Sequence, residues 1–252
     1  MALYAALLFW LGVVVFAAWG VHALWSALIR PRVVNALLLP GTLVAQLGHV
    51  LGLLVTGNTV SGTQLVGDDE QGTPRSATPD TLRPPILGPI VVGLLPLLAC
   101  AAALYAAARL FGGGVLGALA SSGLDLPQRL PTTLAGLWDL LRTLVTLQEA
   151  LVNAVLAGSL LRWQTALFLY LAVCLTVRMA PFDGNRRGTL GAATVAVAVT
   201  GLVGSLVPGV RGLVEGGWPV LSFAVALLLF LLLVTLAVTG LIRLVRVLLT
   251  RG

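Results

Sequence analysis

The chain has 252 residues, of which 58% are hydrophobic and only 10% are charged. Because an ordinary soluble domain carries about 25% charged residues, this composition excludes a typical soluble protein. The net charge is +6, and every basic residue is an arginine. These arginines are spread along the chain instead of forming one basic face, so no nucleic acid is expected as a partner. Long apolar runs between short charged segments indicate a polytopic protein whose immediate partner is the lipid bilayer.

Six apolar runs predict an all-α, polytopic membrane bundle with about six transmembrane helices, and residues 1–252 are expected to form one membrane domain. A helix needs about 20 apolar residues to cross a bilayer. The predicted spans are residues 3–29, 33–56, 85–111, 160–180, 189–209 and 217–248. Cys100 and Cys174 lie within these runs, and we expect them to be buried, free thiols.

Six spans place both termini on the same side of the membrane. The distribution of arginine near the span ends weakly favours the cytoplasmic side for both. The expected location is a bacterial inner membrane.

The main polar segment comprises residues 57–84 and follows a good helix stop at Gly57 and Asn58. Such a segment cannot lie in lipid with its backbone groups unsatisfied. It is either a small insert that contains strands, since Thr59 to Val66 loosely alternates, or a loop.

Residues 134–157 are predicted to form an amphipathic helix, which follows a Gly- and Pro-containing connector over residues 115–133. Five polar residues recur at steps of three and four, which places them on one stripe of the helix. The stripe consists of Asp139, Arg142, Thr146, Glu149 and Asn153. The helix either lies in the membrane interface with this face in water, or turns the stripe toward a central cavity or a partner.

Residues 40–49 read P-G-T-L-V-A-Q-L-G-H and contain a degenerate form of a zinc-protease motif. A working site reads H-E-x-x-H on a helix, with two histidines that bind zinc and a glutamate that activates the metal-bound water. Ala45 occupies the first histidine position and Gln46 the glutamate position, whereas His49 is retained. Ala45 and Gln46 are therefore degenerate positions, and no catalytic residue remains at this motif.

Two further segments complete a family resemblance. Residues 87–96 read L-G-P-I-V-V-G-L-L-P, and residues 179–188 read M-A-P-F-D-G-N-R-R-G. Together with residues 40–49, and in this order, they resemble the motifs of the site-2-protease-like membrane zinc metallopeptidases. In that family the third segment, P-S-x-x-D-x-x-G, brings an aspartate to the zinc.

The resemblance implies a degenerate member of that family, a pseudo-protease. Its residual metal-ligand candidates are His49 and Asp183, and Asn185 is the alternative, degenerate ligand position in a second alignment frame. Two ligands are fewer than the three that catalytic zinc normally has, so no cofactor is expected. We expect His49 to lie near Asp183 or Asn185. The alternatives are a buried His49 that bonds to a neighbouring span, and an Asp183 paired with a nearby arginine.

The leading hypothesis is a catalytically inactive homologue of the membrane zinc metallopeptidases that acts as a binding or scaffolding subunit, with other membrane protein subunits as partners. The first alternative is an active intramembrane zinc protease with an unusual site, which would require zinc. The second alternative is a transporter or channel subunit, whose path would be marked by ionisable residues inside the membrane. On balance, the replacement of H-E-x-x-H argues against an enzyme.

Overall fold

Helices account for most of the chain that the computed structural model describes, which comprises residues 2–58, 61–64, 75–77, 87–158, 162–179 and 208–250. Eight helices lie in these ranges: α1 Ala2–Leu28, α2 Pro31–Leu37, α3 Leu39–Val55, α4 Leu87–Phe111, α5 Gly113–Ser121, α6 Leu134–Ala157, α7 Trp163–Val177 and α8 Pro208–Thr250. The polar insert contributes two short antiparallel strands, β1 Ser61–Gln64 and β2 Arg75–Ala77. The expected helical architecture is therefore present, with a small strand-bearing insert.

Four helices of the described chain are long and apolar enough to cross a membrane, which indicates an integral membrane protein. They are α1, α4, α6 and α8, and the number rises to five if α2 and α3 form one bent span. The helix α7 has only 15 residues, fewer than the predicted span over 160–180, and most of the predicted span over 189–209 lies outside the described residues. Helix α8 begins at Pro208, nine residues before the predicted start.

Residues 33–56, predicted as one helix, form two helices instead, since α2 and α3 meet at an angle of 78°. The break lies at Leu38, whose φ of −89° and ψ of 12° leave the helical range. Pro40, at the start of α3, has no backbone N–H to continue the hydrogen bonding of α2. The sequence therefore forms two helices where an apolar run suggested one.

Other boundaries lie close to their predicted positions. Helices α1, α4 and α6 begin and end within two residues of the predicted limits. Gly57 has a φ of 70° directly after α3, which is the conformation that glycine adopts most readily at a helix end. The prediction of a connector over residues 115–133 is partly wrong, because helix α5 begins at Gly113 and ends at Ser121.

The irregular segment between α5 and α6 is fixed to the bundle by side chains of α1 and α8. Ser222 accepts a hydrogen bond from the backbone N–H of Leu126 at 3.1 Å, and Trp218 Nε1 donates to the Leu126 carbonyl at 2.7 Å. Trp10 Nε1 donates to the carbonyl of Pro127 at 3.2 Å. Non-helical backbone inside an apolar bundle requires such partners.

The polar stripe of α6 lies on the surface of the part of the chain that the structure describes, where it faces no central cavity. Helix α6 buries Leu140, Leu147, Leu151 and Ala154, and its main contacts are with α5 and α8. Asp139, Arg142, Glu149 and Asn153 are all exposed on the surface. Packing of the apolar face turns the charged groups outward, where water or a partner can reach them.

Candidate functional site

Helix α3, which carries the first motif, packs directly on α4, which carries the second. A Cβ atom at Gly48 would lie 2.6 Å from the Leu95 carbonyl oxygen and 2.7 Å from the Pro96 Cα. A Cβ atom at Gly52 would lie 2.9 Å from the Val92 Cα. Glycines at these positions therefore allow the two backbones to approach closely, as small residues do between membrane helices.

Two polar side chains of the first motif are buried in this packed region. Gln46 is 2% exposed and His49 is 9% exposed. Because they are three residues apart in a helix, they lie on the same face. Neither the amide nitrogen nor the amide oxygen of Gln46 has a hydrogen-bond partner among the described residues, and the same is true of His49 Nε2. Buried polar groups without partners cost about 1–3 kcal/mol each, so this face has unused hydrogen-bonding capacity.

The described residues do not assemble a metal site around this face. Ala45 is fully buried, and its methyl group offers no lone pair to a metal. No group of three or more His, Cys, Asp or Glu residues that could hold a metal ion occurs in the described part of the chain. An amide and a single imidazole can bind through hydrogen bonds, but they do not form the donor set of a catalytic zinc centre.

The predicted third-motif residues, Asp183 and Asn185, lie outside the described residues. The prediction that one of them lies near His49 therefore stays a prediction. The described chain stops at Met179, shortly after α7, and the end of α7 lies beside Gly41 at the start of α3. Eight residues of helix, about 12 Å, separate Gly41 from His49.

The break between α2 and α3 is closed by one face of α7, and we call this region the junction. The carbonyl oxygen of Leu37, which the break leaves without a helical partner, accepts hydrogen bonds from two side chains. Tyr170 Oη donates at 2.9 Å and Cys174 Sγ at 3.4 Å. Polar backbone at a broken helix must be satisfied from neighbouring elements, and α7 provides this.

Arg178 continues the same face of α7, four residues after Cys174, and carries the charge of the junction. Its side chain is 6% exposed, and its Nη2 donates to Asn35 Oδ1 at 2.6 Å. Its Nε has no hydrogen-bond partner in the part of the chain that the structure describes. No ion pair of Arg178 occurs there either. Among the described residues, this buried guanidinium is held by a neutral amide.

Close packing holds the junction together. A Cβ atom at Gly41 would collide with the backbone carbonyl of Cys174 and would lie 3.0 Å from Cγ of Arg178. Cys100 of α4 and Cys174 of α7 are both buried and free, and α3, α4 and α7 all pack against one another. The start of α3, the end of α7 and the middle of α4 thus meet at one place.

Sequence reasoning missed the junction as a unit. Arg178 directly follows an apolar run, the place where arginine ordinarily flanks a membrane span. The signal that could have revealed it is the spacing of Tyr170, Cys174 and Arg178, which are four residues apart and share a helix face. Such a polar face on an apolar helix predicts a buried partner, although not its identity.

Comparison with known proteins adds no relative to this description. No family model, no curated protein and no solved structure matches the chain.

Proposed function

We propose that this chain is a catalytically inactive relative of the membrane zinc metallopeptidases that works as a binding or scaffolding subunit within the bilayer. The observation that carries the proposal is the burial of Gln46 and His49, whose side chains keep groups without a hydrogen-bond partner among the described residues. Both lie on a helix that packs tightly against the second motif helix. The order of the three motifs in the sequence supports the same proposal.

The chemistry of the motif positions supports binding over catalysis. A zinc peptidase needs a base that takes a proton from the metal-bound water, and the neutral amide of Gln46 cannot act as one. It also needs an imidazole at the position of Ala45. What remains at this face is an amide, an imidazole and apolar packing, a combination that can hold a polar group of a membrane partner without reacting with it.

Restoring the missing groups tests the scaffold. A triple variant, Ala45→His with Gln46→Glu and Asn185→Asp, should bind about one zinc per chain because three or four ligands then become available. Zinc would be measured by elemental analysis of the purified protein. The matched control adds His49→Ala to the triple variant and should lose the metal. A triple variant without any gain in zinc would reject the metallopeptidase-like geometry.

The inactivity of the natural chain has its own test. Wild-type protein that copurified with stoichiometric zinc and cleaved a membrane-embedded substrate would reject the proposal in favour of an active protease.

The break between α2 and α3 favours one second candidate, a transporter or channel subunit. Interrupted membrane helices often carry binding sites at the break, and here the break lies beside a buried arginine. This candidate ranks second because the Leu37 carbonyl at the break is already satisfied by α7. Substrate flux into liposomes that contain only this chain would promote it, and flux that is lost in Arg178→Met would assign it to the junction.

A further inference from the structure

The surface of α6 has three distinct faces. One is buried against α5 and α8. Roughly opposite this face, at 100° per residue, lies a row of exposed apolar side chains that we call the α6 ridge. It comprises Leu134, Trp138, Leu141, Val145, Val152 and Leu156, with Trp138 64% and Val145 60% exposed. The polar stripe lies directly beside this ridge. An exposed ridge of this size on one helix indicates lipid or a partner.

The charges beside the ridge are arranged symmetrically about the middle of the helix. The midpoint of α6 falls between Val145 and Thr146, and Arg142 and Glu149 lie at equal distances on either side of it. They are seven residues apart, about 10 Å along the axis, too far to pair with each other. Neither forms an ion pair within the described residues. The position that mirrors each of these charges across the midpoint of α6 therefore carries the opposite charge.

A shallow surface pocket on α6 lies where an antiparallel copy would place a large side chain. It has a volume of about 380 Å³ and is lined by Gln148, Glu149, Val152 and Asn153. The position that mirrors Asn153 across the helix midpoint is Trp138, whose indole is largely exposed. An antiparallel copy of α6 would therefore present a protruding indole to this pocket, and the second indole would meet the second pocket.

We propose that α6 is a homodimer interface in which two copies of the chain pair their α6 helices antiparallel across a two-fold axis near Val145. This arrangement places Arg142 of each copy opposite Glu149 of the other and brings the two ridges together. A parallel pair would place Arg142 opposite Arg142 and Glu149 opposite Glu149, which is repulsive. Self-complementary contacts of this kind define a two-fold interface. The inference does not depend on the proposed function.

The membrane is compatible with this dimer when α6 lies in the plane of the interface. A two-fold axis along the membrane normal then keeps both copies in the same orientation while their in-plane helices run antiparallel. The two ridges meet laterally, and the neighbouring polar stripes stay at the water-facing side.

Disulfide trapping in native membranes tests the geometry. Val145→Cys places two thiols at the axis and should give a disulfide-linked dimer on mild oxidation. Trp138→Cys should give little, because two copies of position 138 lie about 22 Å apart along antiparallel axes. Leu213→Cys, at a residue of α8 that is 78% exposed, controls for random collision. The native cysteines are buried, and the wild-type chain shows any background from them.

Three other outcomes of the crosslinking experiment would each overturn the proposal. A disulfide at Trp138→Cys equal to that at Val145→Cys would indicate parallel helices. A Val145→Cys thiol that a membrane-impermeant maleimide labels without forming a dimer would indicate a water-facing ridge. A thiol that neither reacts nor crosslinks would indicate lipid.

Charge exchange tests the pairing independently. In the Val145→Cys background, Arg142→Glu or Glu149→Arg alone should lower the crosslinked fraction. Each single change replaces both ion pairs of the dimer by contacts between like charges, so the dimer should dissociate about tenfold more readily. The double variant, Arg142→Glu with Glu149→Arg, should restore it because the complement is exchanged in both copies. Unchanged crosslinking in the single variants, or no recovery in the double variant, would reject the antiparallel pairing.

Discussion

Two polar regions, the junction at the start of α3 and the motif face about 12 Å further along that helix, differ in how their polar groups are satisfied. At the junction, the Leu37 carbonyl and the Asn35 amide oxygen are bonded by side chains of α7. On the motif face, the Gln46 amide and the His49 Nε2 have no partner among the described residues. Asn35 and Arg178 of the junction are buried, as Gln46 and His49 are, so burial alone does not explain the difference.

The backbone requires polar side chains at the junction, whereas it does not require them on the motif face. The junction exists because the chain breaks at Leu38, and a broken helix in an apolar bundle must find partners for its backbone. Gln46 and His49 lie in uninterrupted helix, where the backbone bonds to itself and requires no polar side chain. The backbone of α3 therefore does not require their polarity. The proposed binding role would account for it, and the predictions below test this contrast.

The largest effect is expected from Gly41→Leu at the junction. Its side chain would collide with the backbone carbonyl of Cys174, which cannot move aside as a flexible side chain can, so we expect a loss of about 3 kcal/mol or more. The midpoint of thermal unfolding in detergent would be measured. The matched control is Gly12→Leu, since a Cβ atom at Gly12 meets nothing within 4 Å. Equal losses in the two variants would contradict the close packing.

A smaller loss is expected from Asn35→Leu, which removes the acceptor of the buried Arg178 guanidinium. A hydrogen bond to a charged group contributes about 1.5–3 kcal/mol, so unfolding should become easier by about 2 kcal/mol in the same assay. Asn35→Asp retains an acceptor oxygen and should keep most of the stability. If Asn35→Leu unfolds at the wild-type midpoint, Arg178 has another partner.

Local pattern predicted much of the fold. Apolar runs and flanking glycine or proline placed α1, α4 and α6 within two residues of their limits, because their boundaries depend on neighbouring residues. The junction could not be placed in this way. The atoms that close it are 133, 137 and 143 residues apart in sequence, and an apolar run has the same composition whether it forms one helix or two.

The candidate site was likewise predictable where it depends on local sequence and not where it depends on tertiary packing. The motif spacing placed Gln46 and His49 on one helix face, and the structure buries both. Whether His49 bonds to a neighbouring span stays a prediction, because the identity of its partner depends on tertiary packing; its Nε2 has no partner among the described residues. The charged stripe of α6 was predicted from its spacing of three and four, whereas its direction was set by which apolar side chains pack on α5 and α8.

The smallest expected effect is a gain in stability, whereas the two preceding variants are expected to lose stability. Gln46→Leu replaces a buried amide that has no hydrogen-bond partner among the described residues by an apolar side chain of similar length. The buried amide costs about 1–3 kcal/mol, and part of this is recovered by the leucine, so we expect a gain of about 1 kcal/mol. The midpoint of thermal unfolding should therefore rise, whereas Asn35→Leu lowers it. Gln46→Ala serves as the control, since it removes the amide but leaves a cavity and should lower stability. A loss in Gln46→Leu as large as that in Asn35→Leu would show that the amide is bonded in the folded protein. In that case the motif face, like the junction, would be a structural requirement, and the argument that its polar groups are kept for binding would fail.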